Sequence, residues 1–209
     1  MNNCVIFLNG VIENDEFVKS IIEKDAFLVA VDGGFNHIKR LGLTPNLILG
    51  DFDSSEYKMA LASEGKIHKY SSDKNATDGE IAIDYVIEKE FDAVMIIGAL
   101  GNRIDHMLSN ISMLEKLSEA GITGKIIGYK NEINFLRDEL TLDRGKYKYF
   151  SVLAISEMVS GLSIKNSRYD LDYSDLKRSE SLCISNEFLE ETVTISLVKG
   201  KAIVIKSLD

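Results

Sequence analysis

Val94-Met-Ile-Ile-Gly-Ala-Leu-Gly-Asn-Arg-Ile-Asp-His106 passes from an apolar run through a glycine-punctuated turn into a segment where Ile104, Leu108, Ile111, Leu114 and Leu117 recur until Gly121. Apolar residues at that spacing form one stripe of a helix, and the glycine is a stop signal. A short run rich in Val and Ile and bounded by glycine reads as a strand buried on both faces. Working outward, Val5–Leu8, Phe27–Val31, Leu47–Leu49 and Lys125–Ile127 are runs of the same kind. A second helical segment extends from Thr77 through Ile81, Tyr85 and Glu88, with Thr77 and Glu80 at capping-box spacing. Strands alternating with helices predict an open, mostly parallel, Rossmann-like α/β sheet.

The pattern changes after Asn131. Lys146–Ile155, Gly161–Ile164, Thr192–Leu197 and Ala202–Ile205 alternate or cluster apolar residues over short spans, without a long helical stripe. That is the pattern of a small all-β sandwich. The expected organisation is an α/β domain over 1–132 followed by an all-β domain over 133–209. So short a second domain is expected to lean on another surface, either the first domain or a second subunit.

The chain has 209 residues, 45% of them apolar, which is enough to build a core without disulfide or metal staples. Asp and Glu exceed Lys and Arg by 33 to 24, a formal charge of -9. A phosphate backbone or acidic membrane rewards a basic surface, so nucleic acid and membrane are not expected as general partners. Cys4 and Cys183 lie far apart, with no C-x-x-C, so neither a disulfide framework nor a thiolate metal site is expected. The start of the chain lacks a basic head and a long apolar stretch, and no apolar run approaches roughly 18 residues. A soluble, cytoplasmic protein is the expectation.

Ligands of open α/β sheets bind beyond the carboxyl ends of the strands. Phe27–Val31 is followed there by Asp32-Gly33-Gly34, and Leu47–Leu49 by Gly50-Asp51-Phe52-Asp53-Ser54. Two carboxylates as close as Asp51 and Asp53 repel unless a cation lies between them, and oxygen donors suit Mg²⁺ held together with substrate phosphates. Aspartate and glycine also commonly end strands and cap helices, which is the competing account of Asp32. Asp78 falls in a first helical turn, where the dipole already favours an acid. Lys74, in the loop before it, is placed to hold phosphate as a point charge. After Val94–Ile97, Gly98 and Gly101 precede a helix N-terminus with Arg103 on its lip, an arrangement that presents N–H donors to anions. Asp105, His106 and Asn110 extend this cluster into the helix. His37 and His68 have no partner at metal-ligand spacing and read as surface or loop residues. Neither G-x-S-x-G nor H-E-x-x-H occurs.

Taken in order, Asp32-Gly-Gly-Phe-Asn36, Pro45-Asn-Leu-Ile-Leu-Gly-Asp-Phe-Asp-Ser54, Asp73-Lys-Asn-Ala-Thr-Asp78 and Gly98-Ala-Leu-Gly-Asn-Arg-Ile-Asp-His106 with Ser109-Asn110 resemble the thiamine pyrophosphokinase family. Gly161-Leu162, Tyr169-Asp170-Leu171 and Ser185-Asn186 are a weaker C-terminal echo. The resemblance implies attack of the thiamine hydroxyl on the β-phosphorus of ATP, with Mg²⁺, in a homodimer. It implies metal ligation by Asp51, Asp53 and Asp78, and nucleotide contacts at Asp32, Gly33, Lys74, Arg103, Asp105 and His106. Lys74, Asp78, Arg103 and Asp105 are the implied catalytic groups, with Asp78 or Asp105 meeting the attacking hydroxyl. Thiamine would be bound by Tyr169, Ser185 and Asn186. Many relatives carry tryptophan in the second domain, whereas this chain has none, so Tyr169 is the expected aromatic contact.

Two other functions compete. An apolar strand followed by Asp-x-Asp also suits a phosphatase of the haloacid-dehalogenase type, although here the motif ends an internal strand and lacks a later acidic pair. A nucleotide- or thiamine-binding sensor without turnover would keep the same pocket.

Overall fold

The computed structural model describes residues 2–50, 66–68, 76–101 and 103–209. Two compact units divide the chain, Met1–Tyr129 and Lys130–Asp209. The boundary expected at 132/133 lies within the first strand of the second unit, Asn131–Leu136. Its polar start, Asn131-Glu132, conceals that strand from a hydropathy reading.

In the first unit the order is β1 (Asn3–Phe7), α1 (Asp15–Ile21), β2 (Phe27–Val31), α2 (Gly34–Arg40), β3 (Leu47–Leu49), β4 (Lys66–His68), α3 (Asp78–Glu88), β5 (Ala93–Ile97), α4 (Ile104–Glu119) and β6 (Thr123–Ile127). The strands lie in the order β6-β5-β1-β2-β3-β4. Every described pairing among them is parallel. Val5, Phe7, Leu28, Ala30 and Ile48 pack with Val18, Phe35 and Ile38 in one apolar cluster. Burial on both faces explains why the strands read as continuous apolar runs. From β1 the chain steps outward through β2, β3 and β4, then returns to the other side of β1 as β5. Sheet order therefore reverses between β1 and β5, and such a reversal opens a crevice beyond the strand ends.

The helix starts differ in part from their sequence signals. Thr77 caps α3 by accepting a hydrogen bond from the Glu80 N–H at 3.2 Å. The reciprocal half of the box is replaced, because the Glu80 carboxylate turns to Lys116 at 3.1 Å. Lys116 also meets Asp84 at 2.6 Å, so it ties α3 to α4. On α4 only the later part of the apolar stripe is buried. Leu114 and Leu117 are fully covered, whereas Ile104 and Leu108 are 66% and 57% exposed. The covered part packs on β6, where a side chain at Gly124 would collide with Leu117. The first turns instead border the cavity at the strand ends.

The second unit contains β7 (Asn131–Leu136), β8 (Glu139–Asp143), β9 (Tyr149–Ala154), β10 (Met158–Lys165), β11 (Leu171–Lys177), β12 (Asn186–Glu187), β13 (Thr192–Ser196) and β14 (Ala202–Ser207). They form the ladders β12-β9-β14-β7 and β11-β10-β13-β8. Pairing is antiparallel in both. Phe150, Val152 and Val204 of one ladder share an apolar cluster with Val159, Leu162 and Ile195 of the other.

Candidate active site

A cavity of about 750 Å³ lies in the first unit at the β1/β5 reversal. Its walls come from the exits of β1, β2 and β5 and from the starts of α3 and α4. Two close backbone crossings shape its floor. Gly10 donates its N–H to the Gly98 carbonyl at 2.8 Å, and Leu8 donates to Ile97 at 2.8 Å. Gly98 has φ +71°, and a side chain there would strike the Leu8 carbonyl. Only glycine combines that conformation with that approach. Asn110 of α4 donates from Nδ2 to the Ala99 carbonyl at 2.8 Å, fastening the β5 exit to the helix.

Asp32 occupies the left-handed region at φ 48°, which is costly for a residue with a Cβ and frequent at functional sites. Its N–H is held by the Leu49 carbonyl at 2.9 Å, so the exits of β2 and β3 are tied together. Asp78 opens α3, half-buried at the cavity wall. Arg103 and Asp105 form an ion pair on the α4 lip, with Arg103 donating from Nε at 3.2 Å. The Arg103 hydrogen bond holds the Asp105 carboxyl below the usual carboxylate range. His106 Nε2 lies 3.9 Å from the same carboxylate.

Thus Asp32, Asp78, Arg103, Asp105 and His106 converge on one cavity. Gly33 contributes differently. It precedes α2, and its missing side chain leaves room for the Asn9 amide. Asp51, Asp53 and Lys74 lie outside the described residues. In the second unit Tyr169 is 58% exposed, with the Arg168 guanidinium 5.6 Å from its ring centroid. Ser185 sits at φ 58°, its N–H donated to the Ser151 hydroxyl at 3.0 Å. Asn186 is buried, and its amide is engaged internally. Oδ1 accepts from the N–H groups of Tyr169 and Glu187 at 3.1 and 2.8 Å. Nδ2 donates to the Tyr169 carbonyl at 2.9 Å and to the Ser167 hydroxyl at 3.2 Å.

The sequence reading passed over the exit of β1, Leu8-Asn9-Gly10-Val11, which lines the cavity together with Thr77 and Ser109. The signal was an Asn-Gly directly after the first apolar run. His37 also requires correction. It is a half-buried α2 residue whose Nε2 lies 2.8 Å from the Gly10 carbonyl oxygen. One turn to either side of it, Gly34 and Leu41 are buried, so helical spacing turns His37 inward.

Residues 18–126 match the family model described as "Thiamin pyrophosphokinase, catalytic domain". The chain belongs to the thiamine pyrophosphokinase family. It is accordingly an enzyme of the transferase class. Residues 132–201 match the companion model described as the "vitamin B1 binding domain". A thiamine pyrophosphokinase of Bacillus subtilis is 32% identical over 186 residues, covering 87% of each chain. The thiamine pyrophosphokinase 1 of rice is 23% identical, covering 86% of this chain and 78% of the relative. The crystal structure of a Bacillus subtilis thiamine pyrophosphokinase superposes with a TM-score of 0.89 at 27% identity, covering 99% of each chain. The Candida albicans structure, at 18% identity, shares the fold with a TM-score of 0.83, covering all of this chain and 89% of that one.

Proposed function

We propose that this chain transfers the pyrophosphoryl group of ATP to the hydroxyl of thiamine, giving thiamine diphosphate and AMP in the presence of Mg²⁺. The observation that carries this reading is the convergence of Asp32, Asp78, Arg103, Asp105 and His106 on one cavity at the sheet reversal. Such a crevice, faced by the starts of α3 and α4, suits the triphosphate of a nucleotide in a Rossmann-like domain.

The donor set fits a hard cation. Asp32 and Asp78 supply carboxylate oxygens at the cavity, and hard oxygen donors of this kind suit a cation such as Mg²⁺. Asp51, Asp53 and Asp78 would hold Mg²⁺, which supplies neutralisation of phosphate charge when bound. Arg103 and Lys74 would bind phosphate oxygens. Asp78 or Asp105 would accept a hydrogen bond from the thiamine hydroxyl and orient it for in-line attack. The new bond forms between that oxygen and the β-phosphorus, and the bond from the β-phosphorus to the bridging oxygen breaks. AMP leaves with the electron pair on its phosphate oxygen, and the hydroxyl proton passes to Asp78 or to water as the new bond forms. Because the Arg103 hydrogen bond holds the Asp105 carboxyl below the usual carboxylate range, Asp105 is a weak base, and orienting the hydroxyl suits it better than removing its proton.

The second unit would contribute Tyr169 and Ser185 to thiamine, and the active species would be a homodimer. Cys4 and Cys183, both buried free thiols, suit a reducing cytoplasm. Burial pushes these thiols up to about 12 and about 11, away from reactivity.

The test is product analysis. AMP must appear from ATP only when thiamine and a divalent cation are both present. Release of ADP alone would assign a different kinase chemistry, and a covalent phosphate on Asp51 would assign the phosphatase. Thiamine and nucleotide binding without any turnover would leave a sensor.

A further inference from the structure

The exit of β1 contains a peptide whose direction is set from outside the cavity. The Gly10 carbonyl oxygen accepts from His37 Nε2 at 2.8 Å. A carbonyl can only accept, so the ring proton is on Nε2 and Nδ1 is bare. Nδ1 is buried with no hydrogen-bond partner among the described residues. A second proton there would be buried without an acceptor. Burial accordingly pushes the His37 pKa below its ordinary value, aided by the Arg40 charge and opposed by the Gly10 bond and Asp15. The imidazole is a neutral, single-direction donor.

In a trans peptide the N–H points opposite to the carbonyl. With the Gly10 carbonyl held toward α2, the N–H of Val11 points away from α2. Gly10 and Val11 line the cavity, and the Val11 nitrogen lies 3.9 Å from where a Gly101 side chain would begin. The Gly10 N–H is already committed to Gly98, whereas the backbone bonds of the described residues include no acceptor for Val11. We propose that His37 is a positioning residue that turns the Gly10–Val11 peptide so that the Val11 N–H serves a phosphate oxygen in the cavity. The inference rests on the nucleotide reading of this cavity. It adds a donor at the β1 exit and a remote side chain that aims it.

The experiment uses the full chain and two probes, MgATP and inorganic tripolyphosphate. In the wild type, ¹⁵N spectra of the imidazole should show the Nε2–H tautomer at neutral pH. The Val11 amide proton should move downfield with either probe and not with adenosine. His37→Leu should raise the KM for MgATP by about tenfold, the size of one charge-assisted hydrogen bond, while the KM for thiamine changes less than about twofold. His37→Gln places a side-chain N–H near the position of Nε2 and should restore most of the loss. The proposal is overturned by a folded His37→Leu enzyme with an unchanged nucleotide KM, by both KM values rising together, or by no rescue from glutamine. It is also overturned if the Val11 amide ignores both probes while AMP is still formed, which leaves the proposed reaction intact. If instead no AMP forms but tripolyphosphate moves Val11, the reaction fails and the phosphate donor stands.

Discussion

At the α4 lip a single pairing sets the character of a candidate catalytic acid. Asp105 is held below the usual carboxylate range first by its hydrogen bond to Arg103. For a lowered carboxylate, the stabilising contribution is present above the ordinary pKa and is lost as pH falls through the held-down value. Both partners are largely exposed, so the benefit to folding is small. The effect belongs to local chemistry. Arg103→Gln should move the Asp105 titration back up toward the ordinary carboxylate range, read by carboxyl ¹³C shifts against pH. An unchanged midpoint would show that Arg103 is not its partner in solution. Asp78 calls for a different experiment. Asp78→Asn keeps side-chain volume and removes charge from a cavity-lining position, so turnover should fall by about a hundredfold or more with an unaltered far-UV spectrum. Near-normal turnover would remove Asp78 from the proposed machinery. Both acids were legible in the sequence because each follows a strand or opens a helix. His37 was not, because its importance lies in a hydrogen bond to a residue 27 positions away.

Elements carry the next level of constraint, and here local signals were right about type and incomplete about partners. Thr77 caps α3 as its spacing implies, yet Glu80 leaves the cap for Lys116, a competitor on α4 that no local pattern reveals. Thr77→Ala should therefore cost about 1 kcal/mol, the worth of the one cap bond that forms, and a thermal melt would detect it. Gly98 makes a stronger case. Its φ of +71° and the adjacent Leu8 carbonyl leave no space for a methyl group. Gly98→Ala should destabilise by about 1–3 kcal/mol and displace the cavity floor, so stability and nucleotide affinity should fall together. Loss of neither would mean that the β1 and β5 exits are more loosely joined than the 2.8 Å bonds between them indicate. Polar strands were the chief omission. Leu171–Lys177 has one buried residue, Leu176, and thus no hydrophobic alternation to read. Lys206 likewise ends an apolar strand and is buried against Glu132 at 2.9 Å, a pairing set by β7/β14 register.

For the whole molecule, what sequence made legible was the division of labour along the chain: strand-end acids in the first unit, short alternating strands in the second. Tertiary context supplied the rest, including the half-exposed stripe of α4 and the internal use of the Asn186 amide. The same scale sets the long-range field. A formal charge of -9 surrounds the proposed reaction, whose two substrates would differ in sign, since thiamine carries a cationic ring and MgATP is anionic. A negative surface raises the local concentration of a cationic substrate and lowers that of an anionic one. Screening shortens the reach of that field from about 30 Å at 0.01 M salt to about 10 Å at 0.1 M. Across that interval, kcat/KM for thiamine should fall, whereas kcat/KM for MgATP should hold or rise. Arg103 is the only described cation lining the cavity, so local attraction for phosphate works at contact distance and is less affected by screening. Steady-state rates at constant pH and fixed Mg²⁺ would separate the two trends. If both substrates lose efficiency equally, salt is acting on stability or assembly, and the acidic surface has no part in admitting thiamine.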